Sequence, residues 1–162
     1  MDRRTLVAGL VMGGCGARTT KAAEPQSVSP VIAAFAQALS AHDIGAFAAL
    51  FADDYINHQT SAAVPPSAAG LSAKQASVAF FAARLKGLPD LSVAIEASLA
   101  NGDMAAASFV YTGTHQGVYF GVAPTGKSLR FTSCDIFRVR NGKIAEHWGM
   151  GDIAGILAQL KA

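Results

Sequence analysis

Cysteine, charge and long apolar runs are all scarce in this chain, and each scarcity removes a class of protein. Only two cysteines occur in 162 residues, and one of them, Cys15, lies in the N-terminal segment. Cys134 is therefore alone in the body and cannot close an internal disulfide, whatever the compartment. The four histidines, at positions 42, 58, 115 and 147, show no ligand spacing, and neither paired cysteines nor an HExxH pattern is present, so no metal site is expected. A phosphate-binding glycine loop and a GxSxG nucleophile elbow are missing too. Charged residues make up 15% of the chain, and the formal charge of +2 is concentrated at the start. Setting aside Arg3, Arg4, Arg18, Lys21, Asp2 and Glu24 leaves nine basic and nine acidic residues from Pro25 onward, a neutral body that argues against nucleic acid as a partner.

What is present is apolar: 51% of the residues are hydrophobic, enough for one domain with a sizeable core and too many for disorder. Residues 1–24 read as an export signal, with a basic start leading into the apolar run Leu6 to Met12, which is too short to span a bilayer. RRTLV has the look of a twin-arginine signal, and MGGC that of a lipoprotein box with Cys15 as the acylated residue; a plain cleavable signal that discards Cys15 is the alternative. An exported protein, periplasmic or attached to the cell envelope, is expected. Residues 25–28 form a polar linker, and the domain runs from 29 to 162.

In that domain SVSPVIAAFAQALSAHD has the hydroxyl cap and early proline of a helix. IGAFAALFADDY reads as a second short helix ended by Asp53 and Asp54, and SAAVPPSAAG as a loop. SAKQASVAFFAARLKGLPD is a third helix, with Val78, Phe81 and Leu85 at core spacing. After Pro89 the period becomes alternating until a short helix near DIAGILAQL. Helices followed by strands imply an α+β domain, its helices on one face of a largely antiparallel sheet. The run Leu129 to Arg140 would extend roughly 40 Å, so the strand should be bent or bulged and the sheet curved.

Within that run, Leu129, Phe131, Ser133, Asp135, Phe137 and Val139 share the inward stripe, which puts a carboxylate on the core side. Its neighbour depends on the Asn141-Gly142 turn. A two-residue loop places Asp135 opposite Trp148, whereas a three-residue loop places it opposite His147. Two-residue Asn-Gly turns match strand twist best, which favours Trp148 and an upward pKa shift through desolvation; a protonated His147 would act the other way. The Asn101-Gly102 turn poses the same question for His115, which faces inward with Phe109 and Tyr111 only if that loop has three residues.

FADDYINHQ, GTHQGVYFGVAPTGKSLRF, DIFRVRNGKIAEHW and the trailing GD together resemble the SnoaL-like polyketide cyclase family, the ester cyclases, within the NTF2-like superfamily. The resemblance runs from about Ser29 to Leu160 and implies a cone in which N-terminal helices pack on a curved sheet enclosing an apolar pocket. It also implies intramolecular aldol chemistry without metal or organic cofactor, with Asp135 as acid/base and His115 and Asn57 as residues that polarise or orient the substrate. His58, Tyr111 and Trp148 are further candidates for substrate contact, while His42 and His147 are read as structural. A small apolar carbonyl compound is the expected ligand. Such sheets commonly pair through their outer faces, so a homodimer is expected. An exported, noncatalytic binding module and an epoxide-type hydrolase using the same pocket are the alternatives; the export signal itself departs from the usual cytoplasmic setting of polyketide cyclases.

Overall fold

The computed structural model describes residues 29–59 and 70–162. The export segment with Cys15, and most of the SAAVPPSAAG loop, lie outside the described residues. The elements follow in the order α1 (Pro30–Ser40), α2 (Ile44–Ala49), β1 (Phe51–Asn57), α3 (Ala73–Gly87), β2 (Ser92–Asn101), β3 (Met104–Thr114), β4 (Ser128–Arg140), β5 (Lys143–Gly151) and α4 (Ile153–Lys161). This is the expected α+β arrangement. The strands form one curved sheet in the order β1-β5-β4-β3-β2, antiparallel throughout except for the parallel β1–β5 pair.

Local signals start the helices where the sequence places them. Pro30 occupies the first turn of α1, where a missing N–H costs nothing. Asp43 and Asp152 cap α2 and α4 by accepting the N–H groups of Ala46 and Gly155. Ser72 and Gln75 form a reciprocal capping box at the start of α3. Phe35 of α1 then anchors the core, its ring 5.1 to 5.5 Å from those of Phe47, Phe81, Phe109 and Phe137.

Two elements differ from expectation. The second helix stops at Ala49, and FADDYIN is strand β1 rather than helix end. Its pairing with β5 decides this: Ile144 N–H donates to the Leu50 carbonyl, and His58 N–H to that of His147. On α3 the buried residues are Ser77, Phe81, Arg84 and Gly87, so its inward face lies one position off the expected Val78 and Leu85, which are only half-buried.

The turns settle the register in an unanticipated way. Asn141 and Gly142 do form a two-residue loop, both at positive φ (53° and 73°), with Arg140 facing Lys143. One step further Ala145 is an extra residue in β5, so that Val139 faces Ile144 but Arg138 faces Glu146. Beyond this bulge Ile136 faces Trp148, Phe137 faces His147, and Asp135 faces Gly149. The expected Asp135–Trp148 pair is therefore overturned: a one-residue slip sends Trp148 to the outer face and His147 to the inner one. In the β2–β3 hairpin the loop is Gly102-Asp103, with Asn101 facing Met104, and a second irregularity between Ile95 and Ala97 brings Ile95 opposite Phe109 and Val93 opposite Tyr111. Phe109 and Tyr111 accordingly lie inside.

Candidate active site

The inner face of the sheet carries a directed chain of polar side chains in an otherwise apolar core. It starts at Asn57, the last residue of β1, whose Nδ2 donates to Ser77 Oγ of α3 at 3.3 Å. Ser77 Oγ donates to the Tyr55 hydroxyl at 3.3 Å, and that hydroxyl lies 3.2 Å from His147 Nδ1. His147 Nε2 is 2.7 Å from Asp135 Oδ1, and Ser133 Oγ donates to Asp135 Oδ2 at 2.5 Å. With a carboxylate at one end, the neutral form of the imidazole would carry its proton on Nε2, donating it to Asp135, and accept the phenol proton at Nδ1. Asp135, His147 and Tyr55 are each about 5% exposed.

Several features hold this geometry. The His147 ring stacks on Phe137, 5.1 Å away and 18° from parallel. Gly149 lies opposite Asp135, and a Cβ there would sit 2.6 Å from His147 Nε2 and 2.7 Å from Asp135 Oδ1, so only glycine leaves room for the two side chains to meet. Burial pushes the Tyr55 phenol up to about 12, and the nearby Asp135 charge adds to this, so that the hydroxyl stays a donor. Tyr111, stacked on Phe131, has its hydroxyl 3.3 Å from Ser133 Oγ and is likewise pushed up by burial. Arg84 reaches the same region from α3, its guanidinium carbon 4.7 Å from the Tyr111 ring centre.

The residues singled out from sequence separate into three places. Asp135, Tyr111 and Asn57 belong to the inner network, although Asn57 enters it only through Ser77, its Oδ1 being taken by the Gln59 N–H at 2.9 Å. His58 and Trp148 stack on each other across the outer face, with ring centres 4.4 Å apart, and His58 Nε2 meets Glu146 Oε2 at 2.8 Å. They line an open cavity of about 850 Å³ with Cys134, Ile136 and Met150, on the side of the sheet away from the Asp135 carboxylate. His115 is fully buried beyond the end of β3. Its Nδ1 accepts the Thr125 N–H at 3.2 Å, which leaves the proton of the neutral ring on Nε2, an atom without a partner among the described residues. Asp135 pairs with Ala107, and His115 lies eight residues further on, about 26 Å of extended strand. No described hydrogen bond joins the two.

Tyr55, Ser77, Ser133 and Arg84 were not singled out from the sequence as site residues, and His147 entered only as the less favoured neighbour of Asp135, read as structural. Ser133 could have been found, since it shares the inward stripe with Asp135 at the next position but one. The choice between His147 and Trp148 could not be made there, because the two-residue loop that favours Trp148 is present and the bulge at Ala145 then reverses the face that simple alternation assigns.

The sequence matches the SnoaL-like polyketide cyclase family over residues 30–160. No curated protein matches it. Among solved structures, IdmH of Streptomyces antibioticus, a proposed polyketide cyclase, is 28% identical with a TM-score of 0.69, covering 82% of this chain and 96% of that one. AclR of Streptomyces galilaeus, a proposed hydroxylase, is 24% identical with a TM-score of 0.69 over 81% of this chain and 78% of its own. A Catenulispora acidiphila protein with a ketosteroid isomerase-like fold is 20% identical with a TM-score of 0.63, covering 83% of this chain and 95% of its own. The last two show the shared fold. With the family match spanning nearly the whole described domain, this chain belongs to the SnoaL-like polyketide cyclases, on the NTF2-like α+β fold.

Proposed function

We propose that the protein is a cyclase-type enzyme that performs acid/base chemistry with its own side chains on a small apolar carbonyl compound, by intramolecular aldol closure or a related isomerase or lyase step. The observation that carries this reading is the buried Asp135–His147 pair at the end of a one-directional hydrogen-bond chain. Asp135 takes a proton from the carbon beside a carbonyl, and the electron pair moves to the carbonyl oxygen as an enolate. The enolate carbon attacks a second carbonyl to close the ring, and the proton held by Asp135 passes to the alkoxide formed there. His147, donating to Oδ1, steadies the carboxylate between these steps, and Tyr55 keeps the imidazole in the required tautomer.

The test is ring closure of aromatic keto esters that carry an acidic C–H, followed by mass spectrometry, together with deuterium uptake from solvent at that carbon. Wild type should catalyse both, and Asp135→Asn neither. Unchanged rates in Asp135→Asn would reject the role. A noncatalytic binding module is the second reading, favoured by one observation: both oxygens of Asp135 already have donors, as in a purely structural carboxylate. It predicts ligand binding with no deuterium uptake in any variant.

The N-terminal signal directs this domain to the periplasm or cell envelope, and Cys15 is either lipidated or cleaved away. Mass spectrometry of the mature N-terminus distinguishes the two, and a mature chain starting at Met1 would reject export.

A further inference from the structure

Arg84 brings a positive charge into the core with no carboxylate in ion-pair contact among the described residues. The residue is 4% exposed. Its Nε donates to the Tyr119 hydroxyl at 3.0 Å. Its guanidinium carbon lies 4.7 to 5.2 Å from the ring centres of Tyr111, Phe81, Phe80 and Phe131. Ring faces attract a cation and a phenol oxygen occupies one of its five N–H donors, but neither supplies a counter-charge. Arginine cannot escape by losing its proton. Burial opposes the charge, but the Tyr119 hydroxyl that accepts from Nε and the Asp135 carboxylate, which lies outside ion-pair contact, favour it, so the group stays ionised. Were packing among rings the only requirement, an apolar side chain of similar length would meet it without burying a cation. Tyr111 ties this cation to the acid/base pair, its ring against Arg84 and its hydroxyl against Ser133, which holds Asp135.

We propose that Arg84 is an anion-binding residue of the inner site: it recognises a flat, two-oxygen anion, a carboxylate or the enolate of a 1,3-dicarbonyl, on an aromatic substrate. The guanidinium fork matches two coplanar oxygens, and the surrounding rings accept a flat apolar body. This narrows the substrate of the proposed acid/base reaction to acidic aromatic carbonyl compounds and rests on that reading for its chemistry, though not for its binding.

The experiment is calorimetric binding of naphthoate and of its uncharged counterpart naphthamide to the full chain near neutral pH. Wild type should bind naphthoate at least about tenfold more tightly. Arg84→Met should bring naphthoate down to the naphthamide level, with naphthamide itself changed less than about twofold. Where Arg84→Met does not fold, Arg84→Lys carries the test: it keeps the charge and loses the fork, and the preference should fall at least about threefold. Equal affinities in wild type, no naphthoate binding, or a preference that survives either substitution would overturn the assignment. The acid/base reading is judged separately, by deuterium uptake in Asp135→Asn, so a negative naphthoate result rejects Arg84 and leaves the Asp135–His147 pair standing.

Discussion

Asp135 is tolerated on the core side of β4 because each of its oxygens has a donor, His147 on one and Ser133 on the other. That changes what its removal should do. Beside Trp148, without a partner, Asp135→Leu would leave stability unchanged or improve it. With His147 as partner the same substitution strands a buried ring N–H, and we expect a loss of about 1–3 kcal/mol in denaturant unfolding. Asp135→Asn keeps an acceptor and the volume, so the fold should persist while turnover drops roughly 10²- to 10⁴-fold. Equal stability of Asp135→Leu and wild type would show that the pair contributes nothing to folding. Tyr55 supplies a pH signature. Its folded value of about 12 lies above the ordinary phenol value of 10, so the stability it contributes is complete below pH 10 and is lost as pH rises toward 12. Wild type should therefore lose stability through that window more steeply than Tyr55→Phe in unfolding measured at successive pH values.

At the level of elements, two short irregularities assemble the site. The bulge at Ala145 turns His147 inward, and the one between Ile95 and Ala97 does the same for the partners of Phe109 and Tyr111. Deleting Ala145 would restore simple alternation in β5 and exchange the faces of His147 and Trp148. The expected result is a poorly folded protein without activity, seen by circular dichroism and turnover together. Helix α3 matters because one face of it supplies Ser77 to the hydrogen-bond chain and Arg84 to the aromatic cluster. Its capping box fixes where that face begins. Ser72→Ala should cost about 1 kcal/mol in chemical denaturation and lower the rate by loosening the Ser77–Tyr55 link. An unaltered melting curve would mean that packing alone holds the start of the helix.

For the whole molecule, the sheet divides two environments. The inner face is covered by helices and closes over the phenylalanine cluster. The outer face carries a cross-strand row of Leu99, Ala106, Ile136 and Trp148, with Met150 beside it; Leu99, Ile136 and Met150 are 60%, 41% and 77% exposed. We propose that a second copy covers this face, making a homodimer whose rim includes the Asp103–Arg138–Glu146–His58 ion network. Light scattering at micromolar concentration should give the mass of two chains, and Ile136→Lys combined with Met150→Lys should give one. A monomeric wild type would reject the proposal. His58 and Trp148, expected in the substrate pocket, would then serve assembly.

Much of this protein is legible in its residues taken singly and in short runs. Helix starts follow from Pro30, Asp43, Ser72 and Asp152, because a cap acts on the first turn and needs no distant partner. The inward carboxylate follows from alternation along one strand, and the Asn141-Gly142 loop from the backbone freedom of those two residues. The partner of Asp135 from the neighbouring strand could not be read this way. A single extra residue in β5 inverts every side chain beyond it, and only the pairing of β5 with β4 on one side and β1 on the other determines where that residue is absorbed. Strand β1 itself was hidden for the same reason: six helical residues run straight into it, and its extended form is imposed by hydrogen bonds to a strand some ninety positions away. Sequence determined that an acid lies inside with a serine beside it on the same strand; tertiary pairing decided that a histidine held by a tyrosine meets that acid, because contacts between strands depend on register, and register is a property of the assembled sheet.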